Sequence, residues 1–179
     1  MKRKVGKKST PYESAFEEFL RKHEILYIAT DETRRPIYAG GKIKNFDFIV
    51  SSFKGKYMID VKGRRFEVKP WANWIHFADI EGMKTWSMLL PDLNPLFVYI
   101  YLLDAKSSEK FQDKFSYKGN EYGFVGITFE EFYQNMKRVG KEKKKGIGGV
   151  GISGKRFREI IKPVTYFIPE LKKVPTGNI

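Results

Sequence analysis

The stretch NFDFIVSSFKGKYMIDVK, running from Asn45 to Lys62, decides how the chain is read. Two apolar runs, Phe46 to Val50 and Tyr57 to Val61, flank a short polar segment centred on Lys54-Gly55. Runs of this length and make-up, separated by a turn, read as the two strands of a hairpin. Each run holds a carboxylate that a buried strand normally excludes: Asp47 in the first and Asp60 in the second. Lys62 follows two residues after Asp60, so the two share a face and Val61 points the other way. A hairpin folded symmetrically about Lys54-Gly55 sets Asp47 opposite Lys62 and diagonal to Asp60. Opposite positions lie about 5 Å apart and diagonal ones roughly 7–8 Å. Two carboxylates so placed converge on one divalent ion, with the ammonium beside it. A slip of one residue would send them to opposite faces, so the reading depends on the turn.

Upstream, Thr10-Pro11-Tyr12-Glu13 offers an N-cap, a proline at the first helical position and a glutamate at the third, which is a capping box. Tyr12, Phe16, Phe19 and Leu20 then form one helical stripe, and the helix is expected to end near His23. An acid on a first helix, then Asp, then Asp/Glu-x-Lys on the next strand resembles the PD-(D/E)xK nuclease superfamily. The likeness covers about Thr10 to Leu103, with Phe46 where the family name has proline. It implies a restriction-endonuclease-like α/β (α+β) core: a mixed sheet with flanking helices in one domain. It implies Mg²⁺-dependent endonucleolytic hydrolysis of DNA, with Mn²⁺ as a substitute. Asp47 and Asp60 would be direct ligands, the Val61 carbonyl another, and Glu13 a ligand through water or a second ion. Lys62 would orient or deprotonate the attacking water. Repair, recombination, restriction and mobile-element roles all fit, as does branched DNA, and double-strand cleavage would call for a homodimer. Two alternatives stay open within the motif: Glu17 in place of Glu13, and Glu67-Val68-Lys69 in place of Asp60-Val61-Lys62. A third alternative is a non-catalytic basic DNA- or RNA-binding protein on a degenerate nuclease fold.

Composition supports a polyanionic partner. The chain of 179 residues carries a formal net charge of +13, an excess that favours nucleic acid. Hydrophobic residues make up 41%, enough for a real core. There is no cysteine, which excludes disulfides and cysteine-based zinc sites and fits a reducing, cytoplasmic setting, nucleoid-associated in a prokaryote. No apolar run approaches the ~20 residues of a membrane span, and no apolar segment follows the basic N-terminus as in a secretory signal. Residues 1–10 read as a basic arm, 11–139 as the nuclease core, and 140–179 as a basic Gly/Lys-rich segment with a C-terminal strand and tail.

Further along, Ile25 to Ala29 reads as a strand and Asp79 as the N-cap of a helix through Leu90. Lys84 on that helix is placed to reach a phosphate. Pro95 to Leu103 is continuously apolar, as for a central strand covered on both faces. Trp71, Trp74 and Phe77 sit in a loop, either stacking on bases or packing beneath it. Asp104 to Asn120 reads as a polar excursion, Tyr122 to Ile127 as a strand, and Thr128 opens a helix to about Arg138. The glycines from Gly146 to Gly154 match dinucleotide and P-loop patterns only in letters. A lysine run precedes them, and Arg156 stands where magnesium would need Ser or Thr. They suit a phosphate-backbone clamp of Lys143, Lys144, Lys145, Lys155, Arg156 and Arg158. Val164 to Ile168 reads as a last strand, with a peripheral tail after Pro169.

Overall fold

The computed structural model describes residues 10–31, 33–139 and 148–172. The first helix, α1 (Pro11–Lys22), starts on the expected capping box. Thr10 Oγ1 accepts the Glu13 N–H at 3.2 Å, and the Glu13 carboxylate accepts the Thr10 N–H at 3.2 Å. Then come β1 (Tyr27–Ala29), β2 (Ile37–Tyr38), β3 (Gly41–Lys42), β4 (Phe48–Ser52), β5 (Gly55–Arg65) and β6 (Ile75–His76). They are followed by α2 (Phe77–Leu89), β7 (Asn94–Leu103), β8 (Asp113–Tyr117), β9 (Asn120–Thr128) and α3 (Phe129–Asn135). The chain continues through β10 (Lys137–Val139), β11 (Gly149–Gly151), α4 (Gly154–Ile160), β12 (Lys162–Pro163) and α5 (Val164–Phe167). Among the described residues no helix is long and apolar enough to cross a membrane.

The main sheet runs β1-β4-β5-β7-β9-β12, with β8 also on β9. β5 and β7 are parallel and every other neighbouring pair is antiparallel, so the sheet is mixed. A small sheet β10-β11-β6 stands beside it. Two apolar layers sandwich the main sheet. Phe16, Phe19 and Leu20 of α1 pack with Ile59, Val61, Val98 and Phe167 on one side. Ile80 and Met83 of α2 pack with Met58, Tyr99, Phe132 and Phe157 on the other. Coverage on both faces is why β7 is apolar along its length. Gly63 lets α1 settle on β5, because a Cβ there would lie 2.2 Å from the Tyr12 ring. The result is a single mixed α/β domain with flanking helices, as the sequence implies.

Four local expectations are corrected. The hairpin turn is Phe53-Lys54, since Ser52 pairs with Gly55. Gly55 spends its positive φ of +144° at the first residue of β5 instead of inside the turn. The Glu170 carboxylate fixes this turn, accepting the Phe53 N–H at 2.6 Å and the Ser52 hydroxyl at 2.9 Å. The segment after Pro169 is therefore not peripheral as far as Lys172, where Leu171 is also buried. Val164 to Phe167 is helical, because the Asp113 carboxylate caps it, accepting the Thr165 N–H at 2.7 Å and hydroxyl at 3.0 Å. The last strand is β12, just before it. The polar excursion after Asp104 contains β8, whose outward residues are polar while Asp113 faces in.

Candidate active site

β5 is the central strand that carries Asp60, Val61 and Lys62. Alternation sends Ile59 and Val61 into the layer under α1, and Met58, Asp60 and Lys62 toward α2. The one-residue shift of the turn moves the partner of Asp47 by two residues. The ladder ends at Phe48 opposite Ile59, so Asp47 falls level with Asp60 instead of Lys62. A two-residue step keeps Asp47 on the predicted face. β4 then peels away: Asp47 donates its N–H to the Ile59 carbonyl at 2.8 Å. Its buried carboxylate accepts the Val61 N–H at 2.6 Å, where a main-chain carbonyl would otherwise stand. Asp47 is thus locked to the residue between Asp60 and Lys62.

On the α2 side lies a set of four charges, with Asp60, Lys62 and Asp79 buried and Lys44 half-buried. Lys62 Nζ is 2.7 Å from Asp60 Oδ2 and 3.2 Å from Asp79 Oδ1. Lys44 Nζ bonds Asp79 Oδ1 and stands 3.9 Å from Asp60 Oδ1. Burial works against the Lys44 ammonium, but Asp60 and Asp79 outweigh it and hold its pKa above the usual lysine value. Burial likewise works against ionised Asp79, and Lys62 and Lys44 outweigh it, so its pKa lies below the usual carboxylate value. Asp60 Oδ1 is buried and has no hydrogen-bond partner among the described residues.

Sequence reasoning missed Lys44 and misplaced Asp79. α2 begins at Phe77 with His76 as N-cap, and Asp79 is its third residue, accepting the His76 N–H at 3.1 Å. Its other oxygen is thereby free to meet both lysines. One signal pointed to Lys44: Gly82, a poor residue inside a helix. A Cβ on Gly82 would lie 2.9 Å from the Lys44 carbonyl, so the glycine brings that backbone against α2. Trp86 Nε1 then donates to the same carbonyl at 3.0 Å.

The other sequence candidates fall elsewhere. Glu13 belongs to the helix on the far side of β5, with its carboxylate held by Thr10. Glu17 bonds Arg21 and the Tyr27 hydroxyl, each at 2.8 Å. Glu67 and Lys69 are exposed in the turn after β5, away from the buried set. Lys84 is exposed on α2; Lys155, Arg156 and Arg158 are exposed on α4. Arg156 bonds Asn135 at 2.9 Å and Glu159 at 3.3 Å. Lys143, Lys144 and Lys145 lie outside the described residues. Trp71 packs against Phe66, Tyr101 and Phe111 while staying half-buried, whereas Trp74 is exposed. Arg64, next on the face after Lys62, lies 5.7 Å from the Trp74 ring and donates to the Trp74 carbonyl.

As a metal centre the donors are sparse. Among the described residues no three carboxylate or imidazole side chains gather closely enough to hold an ion by themselves. A magnesium ion needs only one or two carboxylates when substrate phosphate and water complete its shell. The groups that could serve so are the Asp60 oxygen without a hydrogen bond and the Asp47 carboxylate, which is bonded to the Val61 N–H.

The sequence matches no protein-family model and no curated protein. Among solved structures, the fold matches that of Hjc from Archaeoglobus fulgidus, a Holliday junction resolvase from an archaeal hyperthermophile. The two share 9% identity at a TM-score of 0.53, covering 89% of this chain and 98% of that one. At that identity the likeness fixes the fold.

Proposed function

We propose that this protein is a metal-dependent DNA endonuclease of the PD-(D/E)xK type, with branched DNA as its substrate. The observation that carries the reading is the pairing of Asp60 and Lys62 at 2.7 Å on a buried central strand, with the other Asp60 oxygen buried without a hydrogen bond, 3.9 Å from Lys44. A buried carboxylate oxygen without a hydrogen bond is costly, and a ligand there removes the cost. The fold shared with the resolvase and the net charge of +13 support DNA as the partner.

Asp60 and Asp47 would hold a divalent ion, Mg²⁺ or Mn²⁺, with the Val61 carbonyl as a further ligand. Bound there, the ion would neutralise charge on the scissile phosphate and lower the pKa of an attacking water. Lys62, flanked by the Asp60 and Asp79 carboxylates, would orient that water and balance negative charge. Asp79 and Lys44 position Lys62. Asp79 holds it from the α2 side, and Lys44 offsets the second carboxylate so that the set stays neutral. Glu13 stands outside this group.

One observation favours a second reading, a non-catalytic DNA-binding relative: both Asp60 and Asp79 already have ammonium partners. Metal titration and cleavage assays separate the two. Linear, single-stranded, flapped and four-way DNA are incubated with Mg²⁺ and the parent, Asp60→Asn, Lys62→Ala and Glu67→Gln proteins. The parent is expected to cleave the four-way DNA. Asp60→Asn should bind metal weakly and lose cleavage by orders of magnitude, within the 10²–10⁴-fold or more typical of one catalytic group. Lys62→Ala should lose cleavage while still binding metal, and Glu67→Gln should match the parent. Normal cleavage by Asp60→Asn with a dead Glu67→Gln would move the site one segment along. A parent that binds DNA but neither metal nor cleaves would establish the second reading.

A further inference from the structure

Between β9, β12, the end of α4 and the segments that carry Trp71 and Phe111 lies a cavity of about 310 Å³. That is the low end of the range for a small-molecule site, on the order of 300–1,000 Å³. Three cationic side chains line it, Lys110, Arg158 and Lys162, and no carboxylate does. Its aromatic wall is Trp71 and Phe111, stacked with ring centres 5.2 Å apart and planes at 26°.

The wall is built with care at two points. Trp71 has φ of +58°, a left-handed conformation that a bulky side chain adopts only when its surroundings impose it. Edge contacts with Phe66 at 5.1 Å and Tyr101 at 5.9 Å hold the indole, and the Trp71 carbonyl accepts the Asn73 side-chain amide at 3.1 Å. Phe111 lies flat on β9 because residue 123 is glycine. A Cβ there would come within 2.5 Å of the ring. The half-buried indole therefore borders the cavity instead of closing it. At the rim, Arg158 Nε donates to the Gly154 carbonyl at 3.2 Å. Its two terminal nitrogens make no hydrogen bond among the described residues. Lys110 Nζ stands 5.2 Å above the Phe66 ring, and Lys162 is exposed.

An aromatic wall accepts any base by stacking, and unpaired cations take a phosphate without regard to sequence. The geometry points to a second site on this protein, one that binds a single nucleotide unit: base against Trp71, phosphate on Arg158, Lys162 and Lys110. The site accepts either a nucleotide splayed from a DNA strand or a free nucleotide of the same chemistry. The nucleotide site does not rest on the nuclease reading.

The test uses the full chain and reads tryptophan fluorescence while deoxyadenosine 5′-monophosphate, deoxyadenosine or inorganic phosphate is added. Asp60→Asn runs in parallel, so failure of the nuclease reading leaves this measurement intact. The monophosphate should act at about ten-fold lower concentration than either half alone, the gain from one or two charge-assisted bonds. The double change Arg158→Ala with Lys162→Ala alters only exposed side chains and should remove that advantage. Trp71→Phe keeps an aromatic wall and should abolish the fluorescence change while weakening binding by competition. A short single strand with an unpaired 5′-phosphorylated end separates the sources. Sensitivity to the same double change assigns the site to DNA, and response to the mononucleotide alone assigns it to free nucleotide. Equal action of all three small ligands, or indifference of the monophosphate to the Arg158 and Lys162 changes, would overturn the proposal.

Discussion

The two faces of β5 are built from the same strand and obey different rules. Toward α1 it presents Tyr57, Ile59 and Val61, which pack with Phe16 and Leu20. Toward α2 it presents Met58 and then Asp60 and Lys62, which meet Lys44 and Asp79. Apolar packing is additive and tolerant: any side chain of similar shape fills the volume. The charged face holds only as a set, because removing one member strands its partners in a poorly solvated place. The same backbone regularity that hides the apolar residues brings two charges inside at a two-residue spacing. The difference separates what keeps this protein folded from what it can bind.

The comparison breaks most sharply at Asp79. Asp79→Ala leaves buried Lys62 and half-buried Lys44 facing one carboxylate, and should cost about 3 kcal/mol in a chemical unfolding curve. If the loss were under 1 kcal/mol, water would already be reaching the set and the faces would not differ as described. The same carboxylate sets an acid limit. Its folded pKa lies below the ordinary aspartate value of about 3.9, so its stabilisation is present above that pH and is lost as pH falls through it toward the folded value. Unfolding curves of the parent should weaken below about pH 4 by more than those of Asp79→Asn, which has no such proton to take up.

On the apolar face, Ile59→Val should cost only about 1 kcal/mol, with the cleavage activity of the parent kept. A large fall in cleavage would show that the two faces are coupled through the backbone of β5.

The smallest effect belongs to Glu13. Glutamine serves at the third position of a capping box, so Glu13→Gln should shift stability by a few tenths of a kcal/mol at most. Cleavage should stay at the parent level, measured on the same four-way DNA. Loss of cleavage at unchanged stability would return Glu13 to the catalytic group that the family resemblance implies.

Much of this was legible in the chain. The capping box at Thr10 and Glu13, the apolar stripe of α1, the continuous run of β7 and the alternation through Asp60-Val61-Lys62 are all readable. Each is a signal carried by residues within one or two turns or a few strand positions of one another. The short segment Val164 to Phe167 was misread because β-branched and aromatic residues favour strands, while a distant carboxylate, Asp113, captures its first N–H groups. The turn was misread by a single position because Glu170 fixes it from across the fold.

By itself, the sequence determined which segments alternate, which are covered on both faces, and that Asp60 and Lys62 share one face of a buried strand. The tertiary structure alone decided which charges they meet. Lys44 precedes β4 and Asp79 lies in α2, and apart from Gly82 nothing near either residue announces the other. Only the close seating of α2 over the Lys44 backbone at Gly82 brings them together. Local preferences act through bonds and neighbours, whereas a buried charge is stable only against whatever the rest of the chain folds over it.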